Sequence, residues 1–177
     1  MRIFAKKGNQ IVIILRGAPS SGKSTIAYLL SKNLPNTYKF GIDSMVQTII
    51  SPGKVDMNEW LKARPLAHEL SEIIVKYLLD KGNNLAIEEI FLEAKEIDKF
   101  VKIAHKIGAR VFVFELKVSL EEALRREKIR PYAEEGKPVK EAIELLDKNP
   151  YKNAIKIDTS KLTKAEILEF ILQKIKE

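Results

Sequence analysis

The stretch IVIILRGAPSSGKST, residues 11–25, constrains the fold more than any other part of the chain. Five branched or leucine side chains in a row read as a strand buried on both faces. The next residues, Gly17, Ala18, Pro19, Ser20, Ser21, Gly22, Lys23 and Ser24, fit G-x-x-x-x-G-K-[ST], and Thr25 leads on into a helical rhythm. A strand, a glycine-bearing loop and a helix in that order turn backbone N–H groups toward one point at a helix N-terminus. Such a point binds phosphate. Residues Gly17 to Thr25 are therefore expected to cradle the phosphates of a ligand. Lys23 is expected to bridge the β- and γ-phosphates, and the Ser24 hydroxyl to ligate Mg²⁺.

The remaining chain repeats the same alternation. YKFGID (38–43), NLAIEEI (84–90), RVFVFEL (110–116) and AIKID (154–158) read as four more strands. Amphipathic runs lie between them: 23–34, a short piece over MVQTII, 58–81 with Pro65 as a kink or restart, 93–107 ended by Gly108, a helix after Ser119, 140–147, and 163–176. Ser119 is expected to cap that helix, with Glu122 at the capping-box position. Strands separated by helices imply right-handed crossovers and a parallel sheet covered on both faces. The expectation is one three-layer α/β domain over 1–177. RPYAEEGKP reads as part of a short lid, about 125–140.

In such sheets the ligand lies at the carboxyl ends of the strands. After the second strand stands Asp43, either a base that takes a proton from an attacking hydroxyl or a cap on the next helix. After the third stand Glu88 and Glu89. Adjacent strand residues point to opposite faces, so one of them serves the site, and Glu88 is the expected Mg²⁺ ligand. After the fourth come Arg126 and Arg130, four apart and so on one helix face. They fit charge neutralisation by a closing lid or a solvated helix. After the fifth comes DTS (158–160), beside the nucleotide base or capping the last helix. His68 and His105 have no sequence partner that suggests a metal, and Trp60 and Tyr77 read as packing residues.

Composition excludes more than it assigns. The chain has no cysteine, which removes disulfides, thiolate metal sites and cysteine nucleophiles. No run reaches the length of a membrane span, and the start lacks a signal peptide's apolar stretch, so a cytoplasmic location is expected. The net charge of +7 comes from lysines spread among glutamates. That pattern reads as the solvated surface of a protein from a hot environment ahead of a dedicated nucleic-acid face.

Taken in order, GAPSSGKST, FGIDSM, GNNLAIEEIFL, RREKIRP and IDTS resemble the chloramphenicol phosphotransferase family, within the small P-loop kinases. The resemblance implies a P-loop NTPase fold with a five-stranded parallel sheet in order 2-3-1-4-5, and ATP with Mg²⁺. It maps Asp43 onto the family's catalytic base and Arg126 and Arg130 onto its lid arginines. Two departures stand out. Glutamates occupy the third-strand acid positions, and Ser51 to Trp60 does not match an antibiotic pocket, so chloramphenicol is not the expected acceptor. Zeta-type toxins, polynucleotide 5′-hydroxyl kinases and seryl-tRNA kinases share a similar loop and aspartate. The leading expectation is an ATP-dependent kinase acting on a hydroxyl of a small molecule. The alternatives are a nucleic-acid 5′-hydroxyl or tRNA-linked kinase, and an ATP-dependent switch without an acceptor. A switch needs a water-orienting glutamine, and Gln47, the one near Asp43, is expected to face the acceptor side.

Overall fold

A computed structural model describes residues 10–50, 57–129 and 137–177. The strands are β1 (Ile11–Arg16), β2 (Thr37–Gly41), β3 (Asn84–Glu89), β4 (Arg110–Lys117) and β5 (Ile155–Asp158). They form one parallel sheet in the order β2-β3-β1-β4-β5. The helices are α1 (Lys23–Asn33), α2 (Ile42–Ile49), α3 (Met57–Asp80), α4 (Ala94–Lys106), α5 (Leu120–Glu127), α6 (Lys137–Lys148) and α7 (Lys164–Lys174).

The alternation of side chains along the central strands splits the core in two. Val12, Ile14, Leu85 and Ile87 face α2, α3 and α4, where Phe91, Phe100 and Val75 fill the layer. Ile13, Leu15, Ala86, Phe114 and Leu116 face α1 and α7, packing on Ile26, Leu30, Ile167 and Ile171. A third cluster, Ala18, Val118, Ala123, Val139, Ala142 and Leu146, seats α5 and α6 beside the phosphate loop. Register then assigns the two acids of β3. Glu88 aligns with Leu15 and Glu89 with Arg16. Glu88 thus belongs to the α1 face and Glu89 to the α3–α4 face.

Three expectations change. Pro65 does not restart a helix: α3 runs through it for 24 residues. Its packing against α2 and α4 offsets the lost hydrogen bond. The second strand ends at Gly41, and α2 begins at once with Ile42, so Asp43 sits in a first helical turn and not at a strand end. Tyr77 is not a packing residue, being 61% exposed. Among the described residues no helix is long and apolar enough to cross a membrane.

Candidate active site

Five segments converge at the carboxyl edge of the sheet. The loop from Gly17 to Gly22 is held by contact and by backbone angle. A Cβ on Gly17 would lie 2.5 Å from the Leu116 carbonyl oxygen, so only glycine lets the loop press against β4. Gly22 caps α1 at φ 95°, a left-handed angle that costs other residues free energy, and a side chain there would project into open space. No side chain caps the first N–H groups of α1, and free N–H groups at a helix N-terminus suit an anion. Lys23 is buried and its Nζ donates to the Ala18 carbonyl at 2.8 Å. Ser24 is exposed at the first turn of α1. Ser21 Oγ is buried with no hydrogen-bond partner.

Asp43 lies opposite. Gly41, not Asp43, is the N-cap of α2, and no side chain makes a cap hydrogen bond there. The Oδ1 atom of Asp43 is buried and accepts no hydrogen bond. Burial, with the charge of Glu89 next, raises its pKa to about 6, and Glu88 adds to this while Lys23 and Arg64 oppose it. These groups therefore share one electrostatic field, and the carboxyl is held in the range where it exchanges protons near neutrality.

Glu88 and Glu89 are both buried, with different partners. Glu88 lies over Gly41 and 3.7 Å from Lys39 Nζ. Glu89 joins α3: Arg64 Nη2 is 2.7 Å from its Oε1, and His68 Nε2 is 3.1 Å from the same atom. Arg64 Nη1 also meets Glu96 of α4 at 2.5 Å. Burial works against the charge of Arg64, but Glu96 and Glu89 outweigh it and raise its pKa. Likewise burial disfavours ionised Glu96, and the Arg64 hydrogen bond reverses this and lowers its pKa. His68, Glu89 and Glu96 place ligand atoms within 4.8 Å of one another. Arg64 already supplies the cation that the two carboxylates need, so the trio is an ion-pair network.

Arg126 bridges the far side of the loop. Its Nη2 donates to the Thr159 carbonyl at 2.7 Å, its Nη1 lies 3.3 Å from Ser20 O and from Thr159 Oγ1, and its Nε binds Glu122 at 2.7 Å. Ser20 Oγ in turn donates to buried Glu127. The DTS segment thus meets the phosphate loop through Arg126. It does not cap α7, since Thr163 does so through a capping box with Glu166. Arg130 lies outside the described residues.

Sequence reasoning singled out Asp43, Lys23, Ser24, Glu88 and Arg126, and the geometry gathers these at one edge. It passed over Arg64 and kept Glu89 only as the alternative to Glu88 at the metal. A buried acid on an apolar strand face demands a partner. Nothing in the sequence indicates that the partner stands 25 residues earlier, beside a proline.

A parallel 2-3-1-4-5 sheet with a glycine–lysine phosphate loop after its central strand defines a P-loop nucleotide-dependent enzyme of the kinase type. The sequence pattern of the chloramphenicol phosphotransferase-like proteins matches residues 10–176. The chain belongs to that family. Solved structures of the same fold include the Deinococcus radiodurans tunicamycin resistance protein (19% identity, covering 94% of this chain and 96% of that one, TM-score 0.68). They also include the Mycobacterium tuberculosis APS kinase CysC in complex with AMPPNP and APS (15% identity, 96% and 99% covered, TM-score 0.69). A chain of the Pnkp1/Rnl/Hen1 RNA repair complex is similar over 88% of this chain and 51% of its own (19% identity, TM-score 0.65). No curated protein sequence matches significantly.

Proposed function

We propose that the protein transfers the γ-phosphate of ATP to a hydroxyl of a small-molecule acceptor, with Asp43 as the base. The observation that carries this reading is the Asp43 carboxylate. Its Oδ1 is buried and unpartnered, it makes no cap, and its pKa is raised to about 6 within the field of Lys23, which opposes the rise. A base so poised is ionised at neutral pH yet basic enough to accept a proton as an alcohol attacks.

The phosphate loop residues Gly17 to Thr25 bind the triphosphate through backbone N–H groups, and Lys23 lends charge. Ser24 and Glu88 are the oxygen donors suited to Mg²⁺, a hard cation that favours such ligands. The ion, when bound, neutralises charge on the phosphates. Arg126 links the loop to Thr159, which supports a role beside the nucleotide; of the expected lid over 125–140 in the single domain 1–177, residues 130–136 lie outside the described residues. Support for a phosphotransferase comes from the family, and support for a nucleotide-dependent kinase from the fold. The +7 charge and the likeness to an RNA-repair chain keep a polynucleotide 5′-hydroxyl as the second acceptor class.

Label transfer from γ-labelled ATP to a metabolite pool, a nucleoside panel and 5′-hydroxyl RNA separates these readings. Label on a small molecule is the expected result. Label on RNA alone selects the second acceptor class. Release as inorganic phosphate alone overturns the kinase reading.

A further inference from the structure

The face of α3 turned away from the core is built to pair with another helix. Leu66, Ile73 and Tyr77 are 48%, 66% and 61% exposed, and half-buried Leu70 lies among them. Their spacing is four, three, four, the alternation of a coiled-coil seam. At about 100° per residue the four side chains fall within roughly 60° of one another. Arg64, His68, Ser71, Val75 and Leu79, which face the core and the Glu89 network, project from the opposite side. One helix therefore carries two faces, of which only one has a partner among the described residues.

We infer that the seam is an antiparallel α3–α3 contact between two copies of this chain. Centring the pair between residues 71 and 72 stacks Leu66 on the second copy's Tyr77 and Leu70 on its Ile73, twice over by symmetry. A twofold, self-complementary patch is what an isologous dimer needs. The flanking charges favour the same arrangement. Glu69 and Lys76 lie on one edge of the seam, and an antiparallel dyad brings Glu69 of each copy to Lys76 of the other. A parallel pairing brings no such contact. Lys76 pairs with Asp80 within its own helix at 2.8 Å, a largely exposed pair that is exchanged at little cost.

The area sets the strength. A stable interface buries about 800 Å² per partner, and a single helix face falls short of that, so a dimer built on it is weak and reversible. Because Arg64 and His68 lie on the reverse of the same helix, pairing also clamps the helix that holds Glu89.

Sedimentation equilibrium of the full chain over roughly 5 to 500 µM tests this by mass action. The expected result is a reversible monomer–dimer equilibrium that Ile73→Glu abolishes. Glu69→Lys and Lys76→Glu, taken singly, each set like charges across the dyad and should weaken the dimer about fivefold or more, while the double swap restores it to within about threefold. Helicity and thermal midpoint of each variant are followed in parallel. If Ile73→Glu does not fold, Tyr77→Lys takes its place. A wild-type chain that stays monomeric throughout overturns the inference. So does a dimer indifferent to Ile73→Glu or to the single charge swaps, because it uses another face.

Discussion

Arg64 Nη2 lies 2.7 Å from Glu89 Oε1, and the same guanidinium reaches Glu96 at 2.5 Å, so one arginine of α3 pairs with two acids from β3 and α4. Trp60 flanks it, with the guanidinium carbon 5.7 Å from the ring centroid. The arrangement holds α3 against β3 and α4.

Removing that arginine takes the shared guanidinium from two buried carboxylates and leaves Glu89 with His68 and Glu96 with the Glu93 N–H. Arg64→Leu should therefore cost about 3–5 kcal/mol. Adding Glu89→Gln and Glu96→Gln should recover much of this, since neutral amides need no counter-ion. Urea unfolding of the single and triple variants checks it. Equal loss in both would show that Arg64 acts by packing alone.

Asp43 gives a pH prediction whose sign follows from its folded pKa of about 6, above the ordinary value of 3.8. A carboxyl raised on folding favours the native state below its unfolded pKa, and the advantage is lost as pH rises through 6. At pH 8 the native state therefore carries an unfavourable buried charge. Asp43→Asn should raise stability there by on the order of 1–3 kcal/mol, with the gain fading as pH falls toward 4. Transfer to the acceptor should nonetheless fall by roughly 10² or more in the variant. In the wild type the rate should decline tenfold per pH unit below about 6. Thermal scans and initial rates across pH 4–9 read both. Lower stability at pH 8 with an intact rate would return Asp43 to a structural role.

Arg126 is partly exposed and ties Ser20 to Thr159. Its ion pair with Glu122 adds little stability in that setting. Arg126→Ala should leave the unfolding free energy within about 1 kcal/mol. The turnover number should drop about tenfold or more, and by more than ATP affinity does, because charge neutralisation is worth most in the transition state. Steady-state kinetics beside calorimetric titration with ATP separate the two. Equal losses in turnover and affinity would mean that the arginine serves only nucleotide binding.

Much of this was legible before any coordinates. The apolar runs of β1, β3 and β4 announced a sheet buried on both faces, and glycine and lysine spacing announced the phosphate loop, because both signals are local. The boundary of β2 was not legible. FGID carries no turn residue between strand and helix, since Gly41 itself is the N-cap. Pro65 argued for a break that tertiary packing overrides. Tyr77 looked like core because periodicity cannot tell a face that packs inside its own domain from one that stays outside. The Arg64–Glu89 pair was invisible for another reason: its energy depends on burial, which sequence spacing does not encode. Residues 130–136, with Arg130, lie outside the described part of the chain.

Arg16, the residue just before the phosphate loop, is wholly buried. Its side chain donates to the Phe91 carbonyl, to Glu115 and to the Asn149 carbonyl, partners 75, 99 and 133 residues away. Contacts of such separation form late, since each closes a long stretch of chain. Before they form, the guanidinium has no counter-charge in the interior and stays in water, and the loop beside it cannot seat on β4. Nucleotide binding thus reports the arrival of nearly the whole chain. A polypeptide emerging from the ribosome holds its glycine–lysine loop almost from the beginning, yet is expected to bind nucleotide only after residue 149 has come into place.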